Sequence, residues 1–198
     1  MGFRDLRVIN EDVIAAGQGF PKHGHRDMEI ITYVISGELS HRDSLGNGET
    51  IQPNQVQRMT AGTGVLHSEY SSLTDKTHLL QIWILPDQER LSPSYEQKFF
   101  PPVEKRGKLC LVASKGGDDG SVHINQDVEL YASILQNGEK VTLDLADGRH
   151  AWVQLISGSL DVNGETLSAG DGAAISEEIM LTLKAFDDNS EFLLFDLN

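Results

Sequence analysis

Short apolar runs separated by glycine-containing turns recur along the whole chain, and helix-forming residues are not concentrated anywhere. These runs predict β-strands over residues 29–35, 79–85, 108–112, 130–135, 151–156 and 192–196. Asn-Gly pairs at 47–48 and 163–164 predict tight hairpin turns, because both residue types tolerate positive φ. Many short strands joined by such turns are typical of a β-barrel or β-sandwich. We therefore expect an all-β protein.

The two halves of the chain resemble each other in sequence. Ile-Ser-Gly-Glu-Leu at 35–39 matches Ile-Ser-Gly-Ser-Leu at 156–160, and Asn-Gly-Glu-Thr occurs at both 47–50 and 163–166. Self-similarity of this kind indicates a duplicated structural unit. Four prolines among polar residues between positions 86 and 107 predict a linker there. We therefore predict two domains, residues 1–100 and residues 101–198.

Two short stretches of the first half place metal-capable residues at alternate positions. His23 and His25 form one pair, and His67 and Glu69 form the other. Alternate residues of a strand point to the same face, so two facing strands would bring three imidazoles and one carboxylate to a single point. Such a donor set suits Fe(II), Ni(II), Cu(II), Mn(II) or Zn(II) better than an ion that prefers thiolates. The spacing therefore predicts a metal site.

The second half of the chain lacks this set of residues. An alignment of the two copies, in which the first copy has five extra residues in the loop before Asn47, matches the four metal-capable residues with Asp144, Ala146, Leu183 and Ala185. We therefore expect one copy with a metal site and one copy with a purely structural role.

The charge balance limits the partners of the protein. The formal net charge of the 198 residues is −14. Such an acidic surface repels phosphate backbones and anionic membranes, so we expect no direct binding to nucleic acid or to a membrane. This charge does not exclude binding to a protein partner that has a basic patch.

Cysteine use and the N-terminal sequence bear on the cellular compartment. Cys110 is the single cysteine, so no intrachain disulfide forms, which fits a reducing compartment. The first residues contain no apolar signal core, and no apolar run of the sequence reaches transmembrane length. We therefore expect a cytoplasmic protein.

Longer motifs surround the metal-capable residues. His23-x-His25-x-x-x-Glu29, followed by Gly37, resembles the first motif of the cupin superfamily, and residues 61–69 resemble the second motif in the form that pirins use. The similarity continues through residues 25–47, Tyr-Glu-Gln at 95–97 and the region 126–130, so that it covers nearly the whole chain. The sequence is therefore identified as similar to bacterial members of the pirin family.

This resemblance implies two tandem cupin barrels, each a double-stranded β-helix or jelly roll, with a metal only in the N-terminal barrel. It implies His23, His25, His67 and Glu69 as ligands of one divalent transition metal, with Fe(II) favoured and Ni, Cu, Mn, Co or Zn as alternatives. It also implies a quercetin 2,3-dioxygenase activity, in which a flavonol heterocycle is cleaved with O2 and CO is released. Glu69 would then be both a ligand and the catalytic base.

Two other functions fit the same residues. Pirins are also known as regulatory binding proteins of transcription factors or metabolic enzymes, in which the metal senses redox state without turnover. A third interpretation is a structural bicupin whose metal only stabilises the barrel. Turnover of a flavonol by the metal-loaded protein distinguishes the first function from the other two.

Several further residues have less specific interpretations. Most cupins use the glutamate of the first motif as a ligand, whereas here Glu29 is expected either to support the ligands or to be satisfied by hydrogen bonds within the barrel. His41 and His78 are interpreted as surface or strand-end residues. His123, His150, Trp83 and Trp152 are interpreted as having no part in the site. Pirins ordinarily have a further segment before Met-Gly-Phe that contributes strands to the first barrel. We expect a shortened chain, a start codon assigned too late or a reduced barrel, each of which would expose a sheet edge.

Overall fold

The structure, a computed structural model, describes residues 2–198, and most regular elements in that range are β-strands. The first half contains β1 Leu6–Ile14, β2 Gly19–His25, β3 Glu29–Ser36, β4 Leu39–Asp43, β5 Gly48–Ile51, β6 Gln55–Thr60, β7 Val65–Ser71, β8 Thr77–Ile84 and β9 Ser94–Phe99. The rest contains α1 Pro102–Lys105, β10 Cys110–Ser114, a 3-10 turn Asp118–Gly120, β11 Val122–His123, β12 Val128–Leu135, β13 Lys140–Asp144, β14 His150–Ser157, β15 Ser159–Val162, β16 Glu165–Ser168, β17 Gly172–Ile175, β18 Met180–Ala185 and β19 Ser190–Leu197. The all-β prediction is confirmed, and the six predicted strands match β3, β8, β10, β12, β14 and β19 with ends displaced by at most two residues.

The chain folds into two compact units. The first consists of the chain up to Phe100 together with Lys115–Gly117 and Val122–Gln126. The second consists of Pro101–Ser114, Asp118–Ser121 and Asp127–Asn198. Within the part of the chain that the structure describes, neither helical element is long and apolar enough to cross a membrane.

The first unit is built from two antiparallel sheets. One has the strand order β1-β8-β3-β6-β9, and the other has the order β2-β7-β4-β5. Alternate residues of β3 face the interior: Ile30 packs with Met59 and Val65, and Val34 packs in a separate apolar cluster. Thr32 lies between them on the same face. The interior therefore has two apolar layers with a polar layer between them.

The segment that the prolines marked as a linker contains regular structure. Strand β9 pairs with β6 over its whole length, with Gln97 opposite Gln57. Pro93 and Pro101 lie on either side of this strand, where the missing N–H group of proline costs no ladder hydrogen bond. The prolines therefore mark the ends of a strand and not a linker without structure.

The second unit repeats the two-sheet plan with an apolar interior. Strands β10-β12-β19-β14-β17 lie next to one another in this order, and β13-β18-β15-β16 form the other sheet. Thirteen buried apolar residues form its core, among them Leu160, Leu183 and Ala185. The tandem cupin architecture that the sequence predicted is therefore present in both units.

Strand register corrects one part of the internal alignment. In the first unit His23 is opposite His67. Leu39 pairs with Ser71, and its match Leu160 pairs with Ala185, so the counterparts of His67 and Glu69 are Leu181 and Leu183 and not Leu183 and Ala185. The residue opposite Leu181 is Leu143, so Leu143 and not Asp144 is the counterpart of His23. By the same register the counterpart of His25 is Leu145 and not Ala146.

The reason for this error is a difference in loop length. The chain between the end of β13 and the start of β14 is longer than that between β2 and β3, and a constant offset over this region cannot absorb the difference. The correction strengthens the contrast between the copies, because all four counterparts of the metal-capable residues are now apolar: Leu143, Leu145, Leu181 and Leu183.

Candidate metal centre

Three imidazoles meet where β2 pairs with β7. His23 lies opposite His67, and His25 lies two residues further along β2 on the same face. The ring centroid of His67 is 4.3 Å from that of His23 and 4.9 Å from that of His25. One candidate donor atom from each ring lies within 4.8 Å of the others. The structure therefore brings together the three histidines that the alternating spacing singled out.

Glu69 joins this group from the same strand as His67. It lies two residues after His67, and its Oε1 is 4.0 Å from Nδ1 of that histidine. The side chain is 1% exposed. Its Oε2 accepts a hydrogen bond of 2.9 Å from Nε2 of Gln81, while Oε1 has no hydrogen-bond partner. One oxygen is therefore fixed by the protein and the other is available.

Buried polar atoms without partners test whether this cluster fits a metal ion. Nε2 of His25, both ring nitrogens of His67 and Oε1 of Glu69 are buried without hydrogen bonds. Each unmet buried donor or acceptor costs about 1–3 kcal/mol, which coordination of a cation would offset. Nδ1 of His23 lies 2.9 Å from the carbonyl oxygen of Pro21, which orients this ring as ligating imidazoles are oriented in proteins. The four residues therefore fit a divalent metal.

Protonation states agree with this role. Burial is the main reason that the pKa of His67 is lowered to about 4, and burial also lowers the pKa of His25. Burial alone would raise the pKa of Glu69, but His41, His67 and Gln81 outweigh it, so that this pKa is lowered. At neutral pH His25 and His67 are therefore neutral and the carboxylate of Glu69 is charged, which are the forms that bind metal ions.

His41 is a member of the site that sequence reasoning placed on the surface. It is 1% exposed, and its Nδ1 lies 3.9 Å from Oε1 of Glu69. Its donor atoms also form a group with those of His67 and Glu69 within 4.8 Å. The signal that could have found it is the spacing His41-x-Asp43, which places both side chains on one face of β4. Burial lowers the pKa of His41, but Glu69 and Asp43 raise it more.

Trp83 also contacts the site, although its sequence pattern gave it no part there. Its ring is 5.0 Å from that of His25 in an edge-to-face arrangement, and its Nε1 donates to Oε1 of Gln81 at 3.2 Å. The other histidines do not join the cluster. His78 lies 2.7 Å from Glu11, and His150 lies 2.8 Å from Ser176.

Glu29 lies in a separate buried network. It is 0% exposed, and Oε2 accepts hydrogen bonds from Oγ1 of Thr60 at 3.1 Å and from the backbone N–H of Asn125 at 3.2 Å. Nδ2 of Asn125 donates to Oε1 at 3.3 Å. Because Ile30 faces the interior, the neighbouring Glu29 faces the other side of the sheet. Its contacts therefore agree with a carboxylate satisfied by hydrogen bonds within the first unit, on the outer face of this sheet.

Replacement of Glu29 by glutamine should make the protein less sensitive to pH. Burial raises the pKa of Glu29 above its ordinary value of 4.5, against the opposing effect of Asn125 and Thr60. The folded state therefore binds this proton more tightly than the unfolded chain, and the wild type loses stability as pH rises from about 4.5 through the raised pKa. Glutamine keeps the shape without this loss. Urea unfolding at several pH values should show the advantage of Glu29→Gln growing with pH.

The control for this prediction is Glu89→Gln, because Glu89 is exposed. An equal pH response of the two variants would contradict the assignment of the effect to burial.

The fold and this cluster together define a bicupin with one candidate metal centre in its first unit. The family profile described as "Pirin" matches residues 1–84, and the profile described as "Quercetinase C-terminal cupin domain" matches residues 111–197. The chain belongs to the pirin family.

Named relatives agree with this assignment. The chain is 48% identical to a protein of Escherichia coli named quercetin 2,3-dioxygenase, over 100% of this chain and 84% of that protein. It is 40% identical to a pirin-like protein of Caulobacter vibrioides, over 99% of this chain and 84% of the relative. The crystal structure of the bacterial pirin YhhW from Escherichia coli in complex with nickel(II) superposes with a TM-score of 0.94 at 46% identity, covering 100% of this chain and 84% of that one.

Proposed function

We propose that the chain is a metal-dependent dioxygenase that cleaves the heterocycle of flavonols such as quercetin with O2 and releases CO. The single observation that carries the proposal is the convergence of three imidazoles and a half-satisfied carboxylate in the first unit. His23, His25, His67 and Glu69 would hold one divalent metal, for which we propose Fe(II). The 48% identical relative named quercetin 2,3-dioxygenase supports the choice of reaction. The nickel(II) complex of YhhW supports a divalent ion at this fold.

Glu69 would do the acid–base work of the reaction. A bound divalent metal supplies a Lewis acid that favours the deprotonated form of a hydroxyl group bound to it. Oε1 of Glu69 would face the ion, and Oε2, which accepts one hydrogen bond from Gln81, would keep a lone pair for the proton of the flavonol hydroxyl. Because the pKa of Glu69 is lowered, the carboxylate is charged and ready to accept this proton at neutral pH.

Apolar side chains near the imidazoles suit a flat aromatic ligand. Met28 and Trp83 pack against the buried cluster of Ile30, Met59 and Val65, and Trp83 also contacts His25. A cavity of about 340 Å³ borders His25 and is lined by Gly24, Arg26, Gly64, Val65 and Leu66. A volume of this order is at the lower end of the range for sites that bind small organic ligands. These features support access of a flavonol to the candidate centre.

The test is aerobic turnover of quercetin by protein loaded with Fe(II) or Ni(II), followed by loss of quercetin absorbance and by release of CO. We expect the loaded protein to be faster than the same concentration of free ion. Glu69→Gln should lower kcat by about 10²–10⁴-fold, the usual contribution of a positioned acid–base group. His78→Ala is the matched control, since His78 lies outside the cluster.

Two outcomes would contradict the proposal. One is turnover no faster than that of the free ion, and the other is an unchanged kcat in Glu69→Gln. Metal binding without turnover would favour the regulatory function, for which the acidic surface of net charge −14 suits a basic protein partner.

A further inference from the structure

His41 is anchored through the ring nitrogen that does not face Glu69. Its Nε2 lies 3.2 Å from Oδ2 of Asp43, and both side chains are fully buried. Asp43 is itself fixed, because its carboxylate accepts hydrogen bonds from the backbone N–H groups of Leu45 and Asn47 and from Nδ2 of Asn47, at 2.9, 3.0 and 2.8 Å. The imidazole of His41 therefore has a defined orientation that the β4–β5 turn sets.

The other edge of the His41 ring is directed at Glu69. Strand β4 pairs with β7 so that His41 lies directly opposite Glu69. Nδ1 of His41 and Oε1 of Glu69 are 3.9 Å apart, and both are buried without a hydrogen-bond partner. This separation is beyond hydrogen-bonding distance, so the contact is electrostatic in this structure.

Glu69 therefore lies between two buried supports. On one side Gln81 donates to Oε2 and is itself held by the indole N–H of Trp83. On the other side the pair of Asp43 and His41 faces Oε1. Two supports on opposite oxygens restrict rotation of the carboxylate and decide which oxygen faces the histidines of β2.

The second unit shows that the barrel does not need this polar arrangement. Because Leu39 matches Leu160, the counterpart of His41 is Val162, which lies opposite Leu183, the counterpart of Glu69. Val162 is 4% exposed and Leu183 is 0% exposed. A valine therefore fills the place of His41 where no carboxylate lies opposite, and the imidazole is tied to the presence of Glu69.

We propose that His41, anchored by Asp43, is a positioning residue that sets the orientation of the Glu69 carboxylate toward the metal. The inference rests on the proposed role of Glu69 as a ligand. It adds a residue, and a chain of contacts from the β4–β5 turn, to the four-ligand set. Residues around a metal that orient its ligands typically change its affinity by 10–100-fold when they are replaced.

The test compares His41→Leu, which places an apolar side chain at this position as in the second unit, with His41→Gln, Asp43→Asn and the control Arg42→Ala on the exposed face of β4. Ni(II) affinity is measured by competition with a chromophoric chelator, and the Co(II) protein is examined by visible absorption. Thermal unfolding of each variant is recorded in EDTA.

We expect His41→Leu to bind one ion with an affinity 10–100-fold lower and an altered Co(II) spectrum, while its unfolding midpoint in EDTA is no lower than that of the wild type. Asp43→Asn should shift affinity and spectrum in the same direction by less. His41→Gln should recover part of the loss, because its amide can still face Glu69. Arg42→Ala should match the wild type.

The inference would be overturned if both His41→Leu and Asp43→Asn had a Ni(II) affinity within twofold of the wild type and an unchanged Co(II) spectrum. A loss of affinity that only follows a lower unfolding midpoint in EDTA would also overturn it. None of these measurements uses a flavonol. If the protein binds metal without turnover, the proposed reaction is contradicted and this inference is not affected. If turnover is normal and metal affinity is unchanged in both variants, only the inference about His41 is contradicted.

Discussion

His67→Ala should abolish the stabilisation of the protein by divalent metal while leaving the metal-free protein within about 1 kcal/mol of the wild type. His67 is the central residue of the cluster, since it contacts both other histidines and lies beside Glu69. In the metal-free protein its two buried nitrogens have no hydrogen-bond partners, at a cost of about 1–3 kcal/mol each. Alanine removes this cost but leaves a cavity, and the two effects oppose each other.

The expected size of the effect follows from linkage. A metal present at about 1,000 times its Kd stabilises the folded state by about 4 kcal/mol. For a protein of this length, this corresponds to a rise of roughly 8–16 °C in the unfolding midpoint. We expect that rise in the wild type with Fe(II) or Ni(II), its loss on adding EDTA, and its absence in His67→Ala. Differential scanning calorimetry with and without metal measures all three.

His78→Ala is the control for this experiment, because His78 lies on β8 and pairs with Glu11 outside the cluster. A partly exposed ion pair of this kind contributes at most about 1 kcal/mol. A full metal-dependent rise in His67→Ala would show that His67 is not a ligand. Unfolding of the metal-free variant at ambient temperature would show that the imidazole is needed for the barrel core.

The sequence predicts those parts of the site whose residues recur with the two-residue period of a strand. The pairs on β2 and β7 are visible because a strand repeats every two residues, and each pair contains two metal-capable side chains. His41 was missed because it is a single histidine on β4, and only the pairing of β4 with β7 reveals that it faces Glu69. That pairing joins residues far apart in sequence, which no local pattern encodes.

The same difference between local features and long-range pairing applies to the fold. Short strands and turns follow from residue type, so the strand positions and the duplication were predictable. The match of His23 with Asp144 was wrong because loop lengths differ between the copies, and only register places Leu143 opposite Leu181. The network around Glu29 includes Asn125, which is 96 residues away in the chain, so its satisfaction by hydrogen bonds could be stated only as one of two alternatives.

Gly62→Ala should strongly destabilise the first unit, with a loss of about 4 kcal/mol in the free energy of unfolding. Gly62 has a φ of +44°, where a side chain adds about 1–3 kcal/mol of strain. A Cβ there would lie 2.0 Å from the carbonyl oxygen of Leu91, and overpacking of this kind costs a further 1–3 kcal/mol or so. Because this oxygen belongs to the backbone and accepts a hydrogen bond from Thr63, it cannot simply rotate away.

The damage should reach the candidate metal centre, because Gly62 lies in the turn that leads into β7, the strand of His67 and Glu69. Its carbonyl oxygen also accepts a hydrogen bond from the N–H of Asp27, beside the end of β2. Ni(II) affinity should therefore fall together with stability. Urea unfolding followed by Trp83 fluorescence, in a Trp152→Phe background, reports on the first unit separately.

Two other glycines separate strain from steric overlap. Gly46 has a φ of +97°, and no atom lies within 4 Å of the position that a Cβ would take, so Gly46→Ala should show only the strain of about 1–3 kcal/mol. Gly48 also has open space and no positive φ, so Gly48→Ala should be close to neutral. If Gly62→Ala costs no more than Gly46→Ala, the close approach of Leu91 does not limit this turn. If it costs more and Ni(II) affinity is nevertheless unchanged, the turn is not what places His67 and Glu69.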